Sequence, residues 1–193
     1  MKKASRIFSL ILLCTLMLLM TACGGKKFSH GTISGTTYTS KYIGLKASFD
    51  SDSIIFTDET LARGNGISDM SDKNIRKAFE KDGSISEMIV ITTAGDTVDI
   101  TVHDRKTLGL PDEEEYFETA KQHLAEENIF ASIGTVDFLG KSTRSIEYSM
   151  TILGDTSYDL LIPIFKDDYV VIVSFSSAQK DNIKPLINRF KAY

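Results

Sequence analysis

Two cysteines, three histidines, three prolines and no tryptophan are present in 193 residues, and each scarcity removes a class of chemistry. Cys14 lies inside an apolar run and Cys23 directly follows it, so nothing downstream carries a thiol. A disulfide framework, a cysteine metal site and a thiol nucleophile are therefore excluded from the rest of the chain. His30, His103 and His123 share no ligand spacing such as i, i+4, so no metal-binding motif is expected. Gly64-Asn65-Gly66 lacks the third glycine of a dinucleotide loop and follows no strand pattern. Asp50-Ser51-Asp52-Ser53 starts like a calcium loop, but Ile54-Ile55-Phe56 stands where oxygen ligands should follow, so it reads as a turn. No Gly-x-Ser-x-Gly elbow is present to position a serine nucleophile. Neither a catalytic group nor a cofactor site is expected.

Positive charge is also scarce. Outside the first 22 residues there are 19 basic and 26 acidic residues, a net of −7, which argues against nucleic acid as a partner.

What is present begins with an address. Residues 1–22 contain Lys2, Lys3 and Arg6, no acid, and then an uncharged run of Leu, Ile, Met and Phe from Ile7 to Ala22. Sixteen residues would span about 24 Å as a helix, less than the roughly 30 Å hydrocarbon core, so the run reads as an export signal and not a permanent span. Leu18-Leu19-Met20-Thr21-Ala22-Cys23-Gly24-Gly25 resembles the lipobox of bacterial lipoproteins, with Met20 where Leu is usual. That resemblance implies cleavage before Cys23 and a diacylglyceryl group on its thiol. Two acyl chains anchor stably where one binds only marginally. Lys26 and Lys27 add attraction to anionic headgroups. The expected location is the outer face of the cytoplasmic membrane.

Residues 23–37 are rich in Gly, Ser, Thr and Lys and are expected to form a flexible tether carrying the lipidated cysteine. Residues 38–193 form the single expected domain. Tyr38 to Tyr42 and the alternating Leu45, Ala47 and Phe49 predict an opening hairpin around Ile43-Gly44. A helix is expected over 72–81, with Ser71 as N-cap and Gly83 as its stop. Residues 88–93 and 98–103 predict a second hairpin, and 112–127 a longer helix with Phe117, Ala120 and Leu124 on its inner face. Four strands, 133–139, 143–152, 158–165 and 169–175, then follow at short spacing and imply antiparallel neighbours. Ile183, Leu186, Ile187 and Phe190 recur at i, i+3, i+4, i+7 and predict a terminal helix.

The opening Tyr38-Thr39-Ser40-Lys41-Tyr42-Ile43-Gly44, the acidic helix start Asp112-Glu113-Glu114-Glu115-Tyr116, and Gly140-Lys141 before a long strand resemble the PsbP-like proteins. The resemblance implies an α+β domain: an antiparallel sheet of about seven or eight strands with helices on both faces, an α/β/α sandwich. It implies a compact binding or assembly scaffold and carries no functional residue across. The alternative fold is a cone-shaped α+β domain of the nuclear-transport-factor-two type, disfavoured by the strand-first order.

Seven acids against Lys121 in residues 112–127 give a charge of −6. At 100° per residue Glu114, Glu115, Glu118 and Glu126 lie opposite Phe117 and Leu124, making an acidic stripe. It is a solvated helix face, or a candidate docking face for a basic envelope partner. The function expected from sequence is a lipid-anchored extracytoplasmic binding or assembly module. The alternatives are a small envelope hydrolase and a solute-binding lipoprotein.

Overall fold

A computed structural model describes residues 27–193. The expected export signal, Cys23 and the start of the expected tether lie outside the described residues.

The chain runs β1 (Thr32–Ser34), β2 (Thr37–Ser40), β3 (Leu45–Ser48), β4 (Ile54–Ile55), α1 (Asp58–Gly64), α2 (Asp72–Asp82), β5 (Ser84–Ile91) and β6 (Thr97–Asp104). It continues through α3 (Arg105–Leu108), α4 (Glu113–Glu126), β7 (Ala131–Phe138), β8 (Lys141–Ile152), β9 (Asp155–Lys166), β10 (Tyr169–Ser177), α5 (Ile183–Ile187) and β11 (Phe190–Ala192). No helix among the described residues is long and apolar enough to cross a membrane.

The fold class is the expected one: α+β, built on a seven-stranded antiparallel sheet of order β4-β5-β6-β10-β9-β8-β7. Short turns force this order. Leu139-Gly140, Leu153-Gly154 and Asp167-Asp168 each join strands paired in register, and the turn residues Leu139, Gly140, Leu153, Gly154 and Asp167 have positive φ. A second, four-stranded sheet of order β1-β2-β3-β11, not separated in the sequence reading, packs over one face of the large sheet.

Strand alternation divides the interior. Val171, Val173 and Phe175 of β10 and Val98, Ile100 and Val102 of β6 face the small sheet, where Tyr38, Leu45 and Ala47 are fully buried. Ile75 and Phe79 of α2 and Ile183, Leu186 and Ile187 of α5 close the same core. On the opposite face Phe117 of α4 is buried beneath the Arg144 guanidinium, 4.1 Å from its ring centre. Asp112 caps α4 by accepting from the Glu115 backbone N–H at 3.1 Å, as Gly83 in the left-handed conformation ends α2.

Two expectations are corrected. The flexible tether is fixed from Phe28 onward. Phe28 is buried, with its ring 5.2 Å from Tyr42, 5.8 Å from Phe79 and 5.9 Å from Tyr169, and β1 pairs with β2. The physical reason is close contact with Tyr38: a Cβ on Gly31 would lie 2.5 Å from that ring, so only glycine lets the segment dock.

The terminal helix is also shorter than its spacing implies. It ends at Ile187, and Phe190–Ala192 instead pairs with β3. All four expected apolar residues are buried. The outer edge of β3 supplies hydrogen bonds that one more helical turn would forgo, and this tertiary pairing overrides the local period.

Candidate functional site

The large sheet is wider than the layer packed on it. Where β7, β8 and β9 extend past α5 and β11, a groove of about 800 Å³ opens. Its floor follows from strand alternation and register. Ser132 lies opposite Glu147 and Glu147 opposite Leu160, while Ser149 lies opposite Tyr158, so these side chains form two rows on one face. Val136 continues the floor along β7.

The wall is the C-terminal segment. Lys180, Ile183, Lys184 and Ile187 are spaced one helical turn apart, and all four line the groove with Asn188, Phe190 and Lys191. The isoleucines seal the core, and the ammonium groups rise beside them. Among the described residues Lys180, Lys184 and Lys191 form no ion pair. Three acids also line it: Asp137 and Asp159 stand at alternate strand positions whose side chains leave by the other face, and Glu147 projects from the floor. The groove thus combines an apolar strip with an excess of positive charge, which suits a ligand having both apolar and anionic parts.

A second polar constellation is internal. Glu87 has no exposed surface; a bulge between Ser86 and Met88 turns it inward. Its carboxylate accepts from His30 Nδ1 at 2.7 Å, the Gly31 N–H at 2.6 Å and the Tyr38 hydroxyl at 2.8 Å. His30 Nε2 lies 3.2 Å from Asp58 Oδ1. Burial alone would lower the His30 pKa, but Glu87 and Asp58 outweigh it and hold the imidazole at about 9. Burial, reinforced by Glu87, pushes the Tyr38 phenol well above its usual value, so it remains a donor. His30, expected in a loose tether, is therefore part of a packed ion-pair cluster.

A third group lies on the other face of the sheet. Asp99 bonds Thr101 at 3.3 Å, and burial raises its pKa, with Asp159 adding to the effect. Burial, Asp159 and Asp99 likewise raise the Tyr148 phenol. By strand alternation these side chains point away from the groove floor.

The structure does not gather the histidines. His103 is on β6, where burial lowers its pKa, and His123 is exposed on α4, 3.7 Å from Glu126. The stripe residues Glu114, Glu115, Glu118 and Glu126 are exposed on α4, as the helical spacing implies. Glu114 is drawn to Arg144 at 2.9 Å and so belongs partly to the α4–β8 contact. Cys23 lies outside the described residues.

The groove residues were missed in sequence. A usable signal existed: Lys180 and Lys184 share the spacing of Ile183 and Ile187, which puts charge beside the buried face instead of behind it.

No family model matches the sequence, and no curated protein matches it. Among solved structures, the chain is similar to the PsbP protein of Synechocystis (CyanoP) at 11% identity, covering 89% of this chain and 98% of that one with a TM-score of 0.46. It is similar to LpqN of Mycobacterium tuberculosis, described as involved in cell envelope biogenesis, at 12% identity, 83% and 82% coverage and a TM-score of 0.42. A Bacteroides thetaiotaomicron protein aligns at 11% identity over 83% of this chain with a TM-score of 0.42, and the chain spans 49% of that protein's length.

Proposed function

We propose that this chain is a lipid-anchored extracytoplasmic binding module, without an enzymatic role, whose ligand or partner seats in the groove between α5 and strands β7, β8 and β9. The supporting observation is the groove itself: three lysines without carboxylate partners beside an apolar strip of Val136, Leu160, Ile183 and Ile187. Such a surface attracts anions and rewards burial of apolar groups.

The anchor and the fold fit together mechanically. Lys27 stands four positions after Cys23, a reach of at most about 14 Å. Phe28 is packed against Tyr42 and Tyr169, so a lipidated Cys23 would hold that end of the domain next to the bilayer. A hydrolase reading requires a cleft with paired carboxylates or an activated serine, and the groove serines Ser132 and Ser149 have no histidine among the lining residues. Here Glu147 projects from the groove floor, whereas Asp137 and Asp159, which also line the groove, and Asp99 point to the other face by strand alternation.

The test is photo-crosslinking in intact cells. A photoreactive residue replaces exposed Asn188 in the groove or, as control, exposed Glu118 on α4. Cys23→Ala is assayed in parallel for labelled palmitate. The proposal expects discrete crosslinked species from position 188 alone, and loss of label in the Cys23 variant. Equal yields from both positions would overturn the groove, and retained label would overturn the anchor.

A further inference from the structure

Sheets end in strands whose outer N–H and C=O groups lack partners, and folded proteins blunt such edges by shortness, lysine or proline. Among the described residues the two sheets have four edges. β4 has two residues, and β1 and β11 three each. β7 has eight residues, Ala131–Phe138, with no lysine, arginine or proline. It borders the groove directly, and Ser132, Thr135 and Asp137 along it are exposed.

Gly134 at its centre adds an independent sign. Glycine in a strand costs order and is favoured where another backbone comes close. Nothing inside the domain requires it: its φ is not positive, and a Cβ there would meet only Glu147 Oε1 and Ser145 Oγ, at an ordinary 3.7 Å. The missing side chain instead leaves the groove face open beside the edge, with room for the side chains of a strand laid along β7.

We propose that β7 accepts an extended acidic peptide from an exported protein, which adds as the next strand of the large sheet; this rests on the reading of the groove as the binding site. Backbone hydrogen bonds to β7 supply affinity, and alternate side chains on the groove side face Val136 and the lysines of the far wall. Charge selects acid over base on the groove side, where Lys180, Lys184 and Lys191 face Glu147 while Asp137 and Asp159, which also line the groove, turn their side chains to the other face. A second copy pairing through its own β7 is disfavoured on the same ground, since it would bring another set of lysines to the junction.

The experiment measures backbone hydrogen exchange in the full chain in detergent micelles. The probe is a capped eight-residue peptide of alternating valine and glutamate. One control is the same peptide N-methylated at alternate residues, and another has lysine for glutamate. The expected result is at least tenfold slower exchange within residues 131–138 with the acidic peptide alone, reduced about tenfold by Lys180→Ser, Lys184→Ser and Lys191→Ser together. Unchanged exchange with the acidic peptide, or equal slowing by the N-methylated form, overturns strand addition. Equal slowing by the lysine peptide overturns the acidic preference. Slowing without peptide that tracks a dimer mass assigns the edge to a second copy and also overturns the proposal. If the peptide fails while position 188 still crosslinks a species in cells, this inference falls and the groove reading stands. If position 188 captures nothing, both fall.

Discussion

The buried carboxylate of Glu87 accepts a 2.7 Å hydrogen bond from Nδ1 of His30, 57 residues earlier in the chain. This contact holds the segment that leads out of Cys23 against the large sheet. A buried carboxylate without partners is strongly unfavourable, so the pair makes docking of residues 28–34 and the β5 bulge interdependent.

His30→Ala is expected to lower stability by on the order of 2 kcal/mol near pH 6, allowing for solvent screening. The sign follows from the raised pKa, about 9 against an ordinary 6.5. The native state binds the proton more tightly than the unfolded chain, so the contribution is fully present below about 6.5 and lost as pH rises through 9. Urea unfolding of both proteins from pH 6 to 10 should show their midpoints converging. A constant gap across that range would contradict the ion pair.

Phe190 lies 5.4 Å from Phe175, 5.5 Å from Phe138 and 6.3 Å from Phe49, measured between ring centres, and so joins both sheets. Phe190→Ala should cost about 3–5 kcal/mol, a large part of the 5–15 kcal/mol typical of a domain. A loss under about 1 kcal/mol in urea unfolding would mean that β11 does not dock.

Leu153 is the first residue of the two-residue β8–β9 turn, with φ 53°, and is fully exposed. Leu139 takes the same conformation at φ 55° in the β7–β8 turn but packs against the core. The left-handed conformation costs a leucine about 1–2 kcal/mol, and Leu153 has no burial to offset it. Leu153→Asn should therefore stabilise the domain by about 1 kcal/mol in thermal unfolding. No gain would show that the turn is unstrained.

Much of this fold was legible because local signals agreed with tertiary ones. The helix beginning at Asp72 had its stop and its apolar face in sequence, although Ser71 stands at the N-cap position without a side-chain capping bond, and the four-strand meander had both alternation and turn residues. The terminal segment was misread because Phe190 fits the helical spacing as well as it fits a strand, and only the unpaired edge of β3 decides between them. Glu87 was hidden for a related reason. It sits in a strand-like stretch, but the bulge makes Glu87 and Met88 consecutive inward residues, and alternation cannot signal that. The groove is a product of sheet width, which no local pattern records.

Occupancy of the groove in the envelope is measured by hydrogen exchange on the anchored chain in isolated membranes and on the same chain purified in detergent. The comparison is repeated with Ser149→Trp, which fills the groove floor from an exposed position. Residues 131–138 and 180–191 should exchange more slowly in membranes than in detergent, and Ser149→Trp should abolish that difference while leaving the melting temperature within about 2 °C. Identical exchange in membranes and detergent, or a difference that survives Ser149→Trp, would contradict it.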